Sequence, residues 1–285
     1  MDVERVGAFT LGWGESVVWD ERRGRLYFAD CAARTIHWLD DPAAAPEPAE
    51  LRPPTMPTGL VPAADGRLVA VLEDGLHVVD PDAGTTELLS LFPPEIGGRC
   101  NDAAADPAGN IITGRLNLGP AEGSAWWYSA TAGWRLLDDD ISNTNGPTVG
   151  VLDGETTLII GDTSTHYYAY PYEPDTGAAG PRRVFGDMTD LAGGPDGATL
   201  DADGGLWCAL VGAGQLARFT TAGLDRTVPV PVANPTDVTF GGPDLDRLYV
   251  TSVDGDGELD GALLVIDGLG VRGRPEPRVT LPAPT

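Results

Sequence analysis

The chain has 285 residues, 42% of them hydrophobic, enough to bury one large β domain or two ordinary ones. Seven Trp, seven Tyr and recurrent Leu/Val/Ile runs exclude low-complexity disorder as the reason for its 38 Gly and 25 Pro. With 43 acidic against 18 basic residues, no lysine and a formal net charge of −25, its surface repels phosphate backbones and anionic headgroups, so neither nucleic acid nor membrane is expected as a partner. Most of these acids serve solubility, and only a few can be ligands. Cys31, Cys100 and Cys208 are odd in number and far apart, with no Cys-x-x-Cys pair. That excludes a zinc ribbon or a disulfide framework and predicts buried thiols in a reducing compartment. The N-terminal MDVERVGAFTLGWGE is charged where a signal peptide is apolar, and no apolar run reaches membrane-spanning length. The expected location is the cytoplasm.

In chain order, one unit recurs: an apolar run, a turn with Asp and Gly, a short β-rich run, a second turn and another strand. The copies are VVWDERRGRLYFADCAARTIHWLD, GLVPAADGRLVAVLEDGLHVVDPDAG, NDAAADPAGNIITGRLN with SAWWYSATAGWRLL, VGVLDGETTLIIGDTSTHYYAYPYEPDTG, ATLDADGGLWCALVGAGQLARFTTAGL, and DVTFGGPDLDRLYVTS with GALLVIDG. Their turns fall at Gly24, Gly66, Gly109, Gly154, Gly204 and Asp246, in steps of 42, 43, 45, 50 and 42. A period in the forties without amphipathic helices predicts an all-β chain, one six-bladed β-propeller of four-stranded antiparallel blades occupying residues 1–285 as a single domain. The Pro-rich stretch from Asp41 to Pro57 reads as a loop between the first two blades. The terminal RVTLPAPT and the first ten residues are expected to share the closing blade, which removes an open sheet edge.

Propeller entry loops converge on one end of the channel, so functional residues are expected at equivalent blade starts. Glu15 lies before the first strand, Arg99, Asn101 and Asp102 open the third copy, Asn145 the fourth, and Asp196, in GGPDGATLDADGGLW, the fifth. Each has a plainer reading alone: Pro-Asp-Gly and Asn-Gly are common surface turns, Asn101-Asp102 can cap its own backbone, and Glu15 can be an exposed acid. Their shared phase in the repeat favours a common site. Two carboxylates and an amide carbonyl, completed by water, suit one hard or borderline divalent cation.

GESVVWDERRGRLYFADCAARTIHWLD, RCNDAAADPAGN, TNGPTVGVLDG with GDTSTHYYAYPYEPDTG, and GGPDGATLDADGGLW resemble, in order, the signatures of the regucalcin/gluconolactonase (senescence marker protein) family of six-bladed propeller lactonases. The resemblance runs from about Gly14 to about Ser252. It implies a lone divalent metal at the channel mouth, mapped onto Glu15, Asn145 and Asp196, and substrate contacts from Arg99 and Asn101, with Asp102 supporting their loop. Three departures are visible. Trp13 precedes Glu15 as a candidate pocket wall. One extra residue between Asn145 and the Asp153-Gly154 turn leaves Asn143 as a rival ligand. The unfamiliar GRLNLGPAEGS makes Asn117 and Glu122 candidate specificity residues.

The chemistry expected is metal-dependent opening of a sugar lactone or related small cyclic ester. The metal polarises the carbonyl, Asp196 takes the proton of the attacking water, and Arg99 and Asn101 hold the substrate. Calcium, zinc, manganese, magnesium and iron(II) all suit the oxygen ligands, and oligomeric state is open. No Gly-x-Ser-x-Gly elbow is present. His37 and His77 are read as structural, His166 as a weaker pocket candidate, and Asp162 as securing its blade. Two other readings use the same residues: a non-catalytic propeller that binds a small ligand or cation as sensor or buffer, and a metal pocket recruited to biosynthetic ring opening or isomerisation.

Overall fold

A computed structural model of the chain describes residues 1–44, 47–116 and 123–282. Six antiparallel sheets stand in a ring, confirming the propeller. Their innermost strands are Gly14–Asp20, Gly59–Pro62, Cys100–Ala105, Thr144–Leu152, Gly194–Leu200 and Pro235–Gly241 for blades 1 to 6, each packed on the next and the last on the first. The core is correspondingly split into six apolar layers, one at each blade interface. Leu26 and Phe28 of blade 1 meet Tyr249 of blade 6 in one such layer, while Ile159 and Tyr167 of blade 4 meet Leu206 and Cys208 of blade 5 in another. Alternation of side chains along each strand sends one set to each neighbouring layer, which is why the strands read as nearly continuous apolar runs.

The repeated Asp-Gly turns have a common cause. In blades 1, 3 and 5 a buried aspartate at the outer end of the inner strand ties the following hairpin. Asp106 Oδ1 accepts from the backbone N–H groups of Ala108 and Asn110, both at 2.9 Å, and Asp106 Oδ2 from the Trp127 indole at 3.2 Å and the Tyr172 hydroxyl at 2.8 Å. Asp201 does the same in blade 5, holding Asp203, Gly205, the Trp207 indole and the Arg218 guanidinium. Asp20 holds Arg22 and Arg23 in blade 1. The left-handed glycine that follows (Gly24, Gly109, Gly204) completes each turn.

Two expectations about the connections need correcting. The stretch from Asp41 to Pro57 is not only loop: within it Ala49–Leu51 pairs with Thr35–Leu39 as the outermost strand of blade 1. The ends do not share the closing blade. Asp2–Arg5 completes blade 6 beside Leu264–Asp267, whereas the C-terminal residues leave the sheet and cross the far end of the channel. There Ala202 N donates to Arg272 O, Gly273 N to Leu245 O, Arg274 to Val149 O, Val279 N to Pro62 O and Thr280 N to Gly109 O, while Arg278 pairs with Asp20 and Glu21. This strap therefore touches all six blades. Its apolar anchor is Val279, which packs in the layer between blades 2 and 3.

Among the described residues no helix is long and apolar enough to cross a membrane. The three cysteines are buried and unbridged, as expected.

Candidate functional site

The opposite mouth of the channel is built by a device that the pairing registers reveal. In blades 1, 3, 4, 5 and 6 the register of the first two strands shifts near the start of the inner strand, between Glu15 and Val18, Cys100 and Ala103, Asn145 and Thr148, Pro195 and Ala198, and Pro235 and Val238. A bulge of this kind breaks the alternation of side chains and re-aims those beside it. Blade 2 pairs without a shift and contributes no candidate. The residue after Glu15 and the residue after Asn145 share a left-handed backbone, φ 49° at both Ser16 and Gly146, so the two side chains occupy the same position in their blades. At Ser16 that conformation is compensated by its hydroxyl, which accepts from Leu60 N of blade 2 at 2.6 Å.

The bulges bring together Glu15, Asp102, Asp196 and a residue that sequence reasoning missed, Asp237. Asp196 and Asp237 are each 7% exposed, while Glu15 and Asp102 are half-buried. Burial first, and then the charges of Glu15, Asp237 and Asp102, hold the Asp196 carboxyl well above the usual carboxylate range. Asp237 is raised likewise by burial and by Asp102 and Glu15. Glu15 is pushed up to about 8 by desolvation and by Asp102, against the opposing hydrogen bonds of the Trp13 indole and the Ser16 amide. Asp102 rises to about 6, again through desolvation, although the amides of Ala103 and Gly146 oppose it. Four acids so placed repel one another's charge, and their common remedy is a proton or a cation.

Asn145 is buried beside them. Its Oδ1 accepts from Asn101 Nδ2 and its Nδ2 donates to Thr163 Oγ1. The neighbouring Gly146 lies so close to Asp196 that an added Cβ would stand 2.8 Å from the Asp196 carbonyl oxygen. Asp102 Oδ2 accepts from Gly146 N at 2.8 Å and thus fixes the bulge of the neighbouring blade that carries Asn145, whereas the sequence predicts that it supports the Arg99–Asn101 loop. Asn101, read as a substrate contact, lies against the candidate ligand Asn145. Asn143 stands outside the bulge, pairs with Leu116 and donates from Nδ2 to Thr163 Oγ1, while its buried Oδ1 finds no partner among the described residues.

Arg99 Nη1 approaches Met56 Sδ at 3.4 Å, and no carboxylate pairs with it among the described residues. It is close enough to the cluster to act electrostatically on Cys31, as Glu15 and Asp196 do. Trp13 Nε1 donates to Glu15 Oε1 at 2.9 Å. His166 accepts from Met188 N at its Nδ1, and Asp162 ties Ser142 to Ser164, so both serve loop geometry. His37 and His77 lie in strands of blades 1 and 2. Asn117 and Glu122 lie outside the described residues.

Asp237 was hard to find because Asn-Pro-Thr-Asp-Val lacks the glycine turn that announces Asp196 in Gly-Pro-Asp-Gly. The available signal was phase: both acids follow a proline at the start of an inner strand, Asp237 one residue later within its bulge. Beneath the cluster the channel holds a cavity of about 50 Å3 lined by Asp102, Asp237 and Thr239, with Glu276 and Pro277 of the strap as part of its wall.

The donor chemistry fits a divalent cation: crowded carboxylates and an amide oxygen at the blade position equivalent to Glu15, with no ion pair to any of the four acids among the described residues. Among the described residues no three His, Cys, Asp or Glu side chains converge as a ready-made cage. A set of two acids and an amide does not require one.

Comparison with known proteins agrees with this architecture. Over 97% of its length the chain is 32% identical to a pentonolactonase of Haloferax volcanii, of which it covers 97%. It superposes on a luciferin-regenerating enzyme with a TM-score of 0.88 at 27% identity, over 98% of this chain and 99% of that one. A calcium-binding regucalcin from Agrobacterium tumefaciens gives 0.87 at 27% identity, over 97% of each. A family model, the SMP-30/gluconolactonase/LRE-like region, matches residues 13–254, and the chain belongs to that family.

Proposed function

We propose that the protein is a divalent-metal-dependent lactonase that opens a sugar lactone or a related small cyclic ester. The observation that carries this reading is the set of crowded carboxylates at the channel mouth, which no basic side chain pairs among the described residues, with Arg99 near them and likewise unpaired by any acid among the described residues. The resemblance to a pentonolactonase supports the substrate class, and that to a calcium-binding regucalcin supports a divalent ion.

Glu15, Asn145 and Asp196 would hold the ion, which supplies Lewis-acid polarisation of the ring carbonyl and charge balance for the acids. Asp196 is the general base. It takes a proton from water as the water oxygen attacks the lactone carbonyl; the ring C–O bond then breaks, and Asp196 returns that proton to the departing ring oxygen, leaving a hydroxy acid. Its backbone is held for this task, since Tyr167 Oη donates to Asp196 O at 2.5 Å. Arg99 donates to carbonyl or hydroxyl oxygens of the substrate and, being permanently protonated, does not compete for the base role. Asn101 keeps the Asn145 amide oriented.

Acid release from a panel of sugar lactones, measured on chelator-treated protein and after addition of single divalent ions, tests the reading. Activity lost with chelator and restored by one ion is the expected result. Asp196→Asn is expected to lower kcat about 10²–10⁴-fold while retaining measurable ion binding. Unchanged turnover in that variant rejects Asp196 as base. Ion binding without opening of any lactone favours the sensor or buffer reading.

A further inference from the structure

We infer that Trp13 is a positioning residue for the candidate metal centre, fixing the Glu15 carboxylate through its indole N–H; the inference rests on the metal reading above. Trp13 is half-buried, and Nε1 donates to Glu15 Oε1 at 2.9 Å. Its backbone is immobilised independently. The buried Asp30 accepts from Gly12 N at 2.8 Å and from Trp13 N at 3.2 Å, and Asp30 is itself held by Ala33 N at 3.0 Å. Trp13 O accepts from Cys31 N at 2.8 Å, and Trp13 bridges to Val253 of blade 6.

The indole is thus mounted on two blades before it reaches Glu15. A glutamate has three rotatable side-chain bonds, and a carboxylate free to turn loses that freedom on meeting an ion. With one oxygen held by a ring whose backbone is fixed, much of that ordering is complete beforehand. Asn101 holds the Asn145 oxygen in a similar way. Two candidate ligands from opposite sides of the ring therefore each have an N–H donor of their own. Among the seven tryptophans, Trp13 is the one whose N–H contacts a candidate ligand.

Calorimetric titration of chelator-treated wild-type protein and Trp13→Phe with calcium and manganese chlorides, together with tryptophan emission, tests the assignment. We expect roughly 10-fold or greater loss of ion affinity in Trp13→Phe, and an ion-dependent emission change in wild type that the variant lacks. Replacing Trp13 by its benzothiophene analogue keeps the ring shape but exchanges N–H for sulfur, and the same loss of affinity is expected. Wild-type affinity in that analogue, or in a folded Trp13→Phe, overturns the inference while leaving the metal reading intact. Failure of wild-type protein to bind calcium, manganese or, titrated in the same way, magnesium, zinc or iron(II) overturns both.

Discussion

At Gly197 an added Cβ would stand 1.9 Å from Asp237 Oδ1, so the carboxylate of blade 6 occupies the space that a side chain of blade 5 would need. Glycine here makes room for an acid beside Asp196, and the crowding has a thermodynamic consequence. The carboxyls of Glu15, Asp102, Asp196 and Asp237 are all raised, so the folded protein without metal binds more protons than the unfolded chain. Its stability is full below the ordinary carboxylate range and falls as pH rises, through about 6 for Asp102 and about 8 for Glu15. We therefore expect the melting temperature of chelator-treated protein to drop by roughly 5 °C or more between pH 5 and pH 8. A bound divalent ion should oppose that drop, and Asp237→Asn should diminish it. Calorimetry in matched buffers checks both, and a flat profile without metal would remove the charge-crowding account. In the sequence, Glu15, Asn145 and Asp196 were legible because each sits beside a recognisable turn or glycine. Asp237 was not, because a bulge displaces it by one residue and no local pattern marks that displacement.

The aspartate-tied hairpin after the inner strands of blades 1, 3 and 5 helps explain why the repeat was readable. Asp201 Oδ2 accepts from Trp207 Nε1 at 3.0 Å and from Arg218 Nε at 2.7 Å, while its Oδ1 holds two backbone N–H groups. One acid at one position thus satisfies four donors, and the same requirement recurs at Asp20 and Asp106. Local chemistry of this sort leaves a visible Asp-x-x-Gly or Asp-x-x-x-Gly trace. Asp201→Ala should destabilise the fold by about 3–5 kcal/mol, since it strands the buried Arg218 guanidinium as well as the turn amides. Chemical denaturation of the variant measures this, and a loss below about 1 kcal/mol would show that Asp225, 3.1 Å from Arg218 Nη1, carries the pair alone. The outer strand Ala49–Leu51 escaped notice for the opposite reason. It is three residues long, two of them exposed, with no alternation to read.

At the scale of the whole molecule, closure is done twice. Asp2–Arg5 completes the sixth sheet, and the strap from Arg272 to Thr280 ties the blades across the far end. The strap was illegible because its hydrogen bonds go to residues scattered along the whole chain, from Asp20 to Leu245, and no periodicity encodes such partners. Truncation after residue 271 should leave six blades folded, with unchanged circular dichroism, but lower the melting temperature by roughly 10 °C, given about 1 kcal/mol for each net hydrogen bond lost. Unfolded protein would show the strap to be essential for closure. Faster amide exchange in the inner strands would report newly admitted solvent.

The strap also bears on traffic. Glu276 and Pro277 of the strap form part of the wall of the cavity beneath the carboxylates. On the proposed reading, a lactone and the acid formed from it would pass the mouth where Arg99 and the carboxylates stand, with the strap at the opposite end. On that reading an anionic product would leave past that arginine before the next ring enters, which would make departure of the acid a step in each turnover. The formal net charge of −25 would favour its departure into solvent.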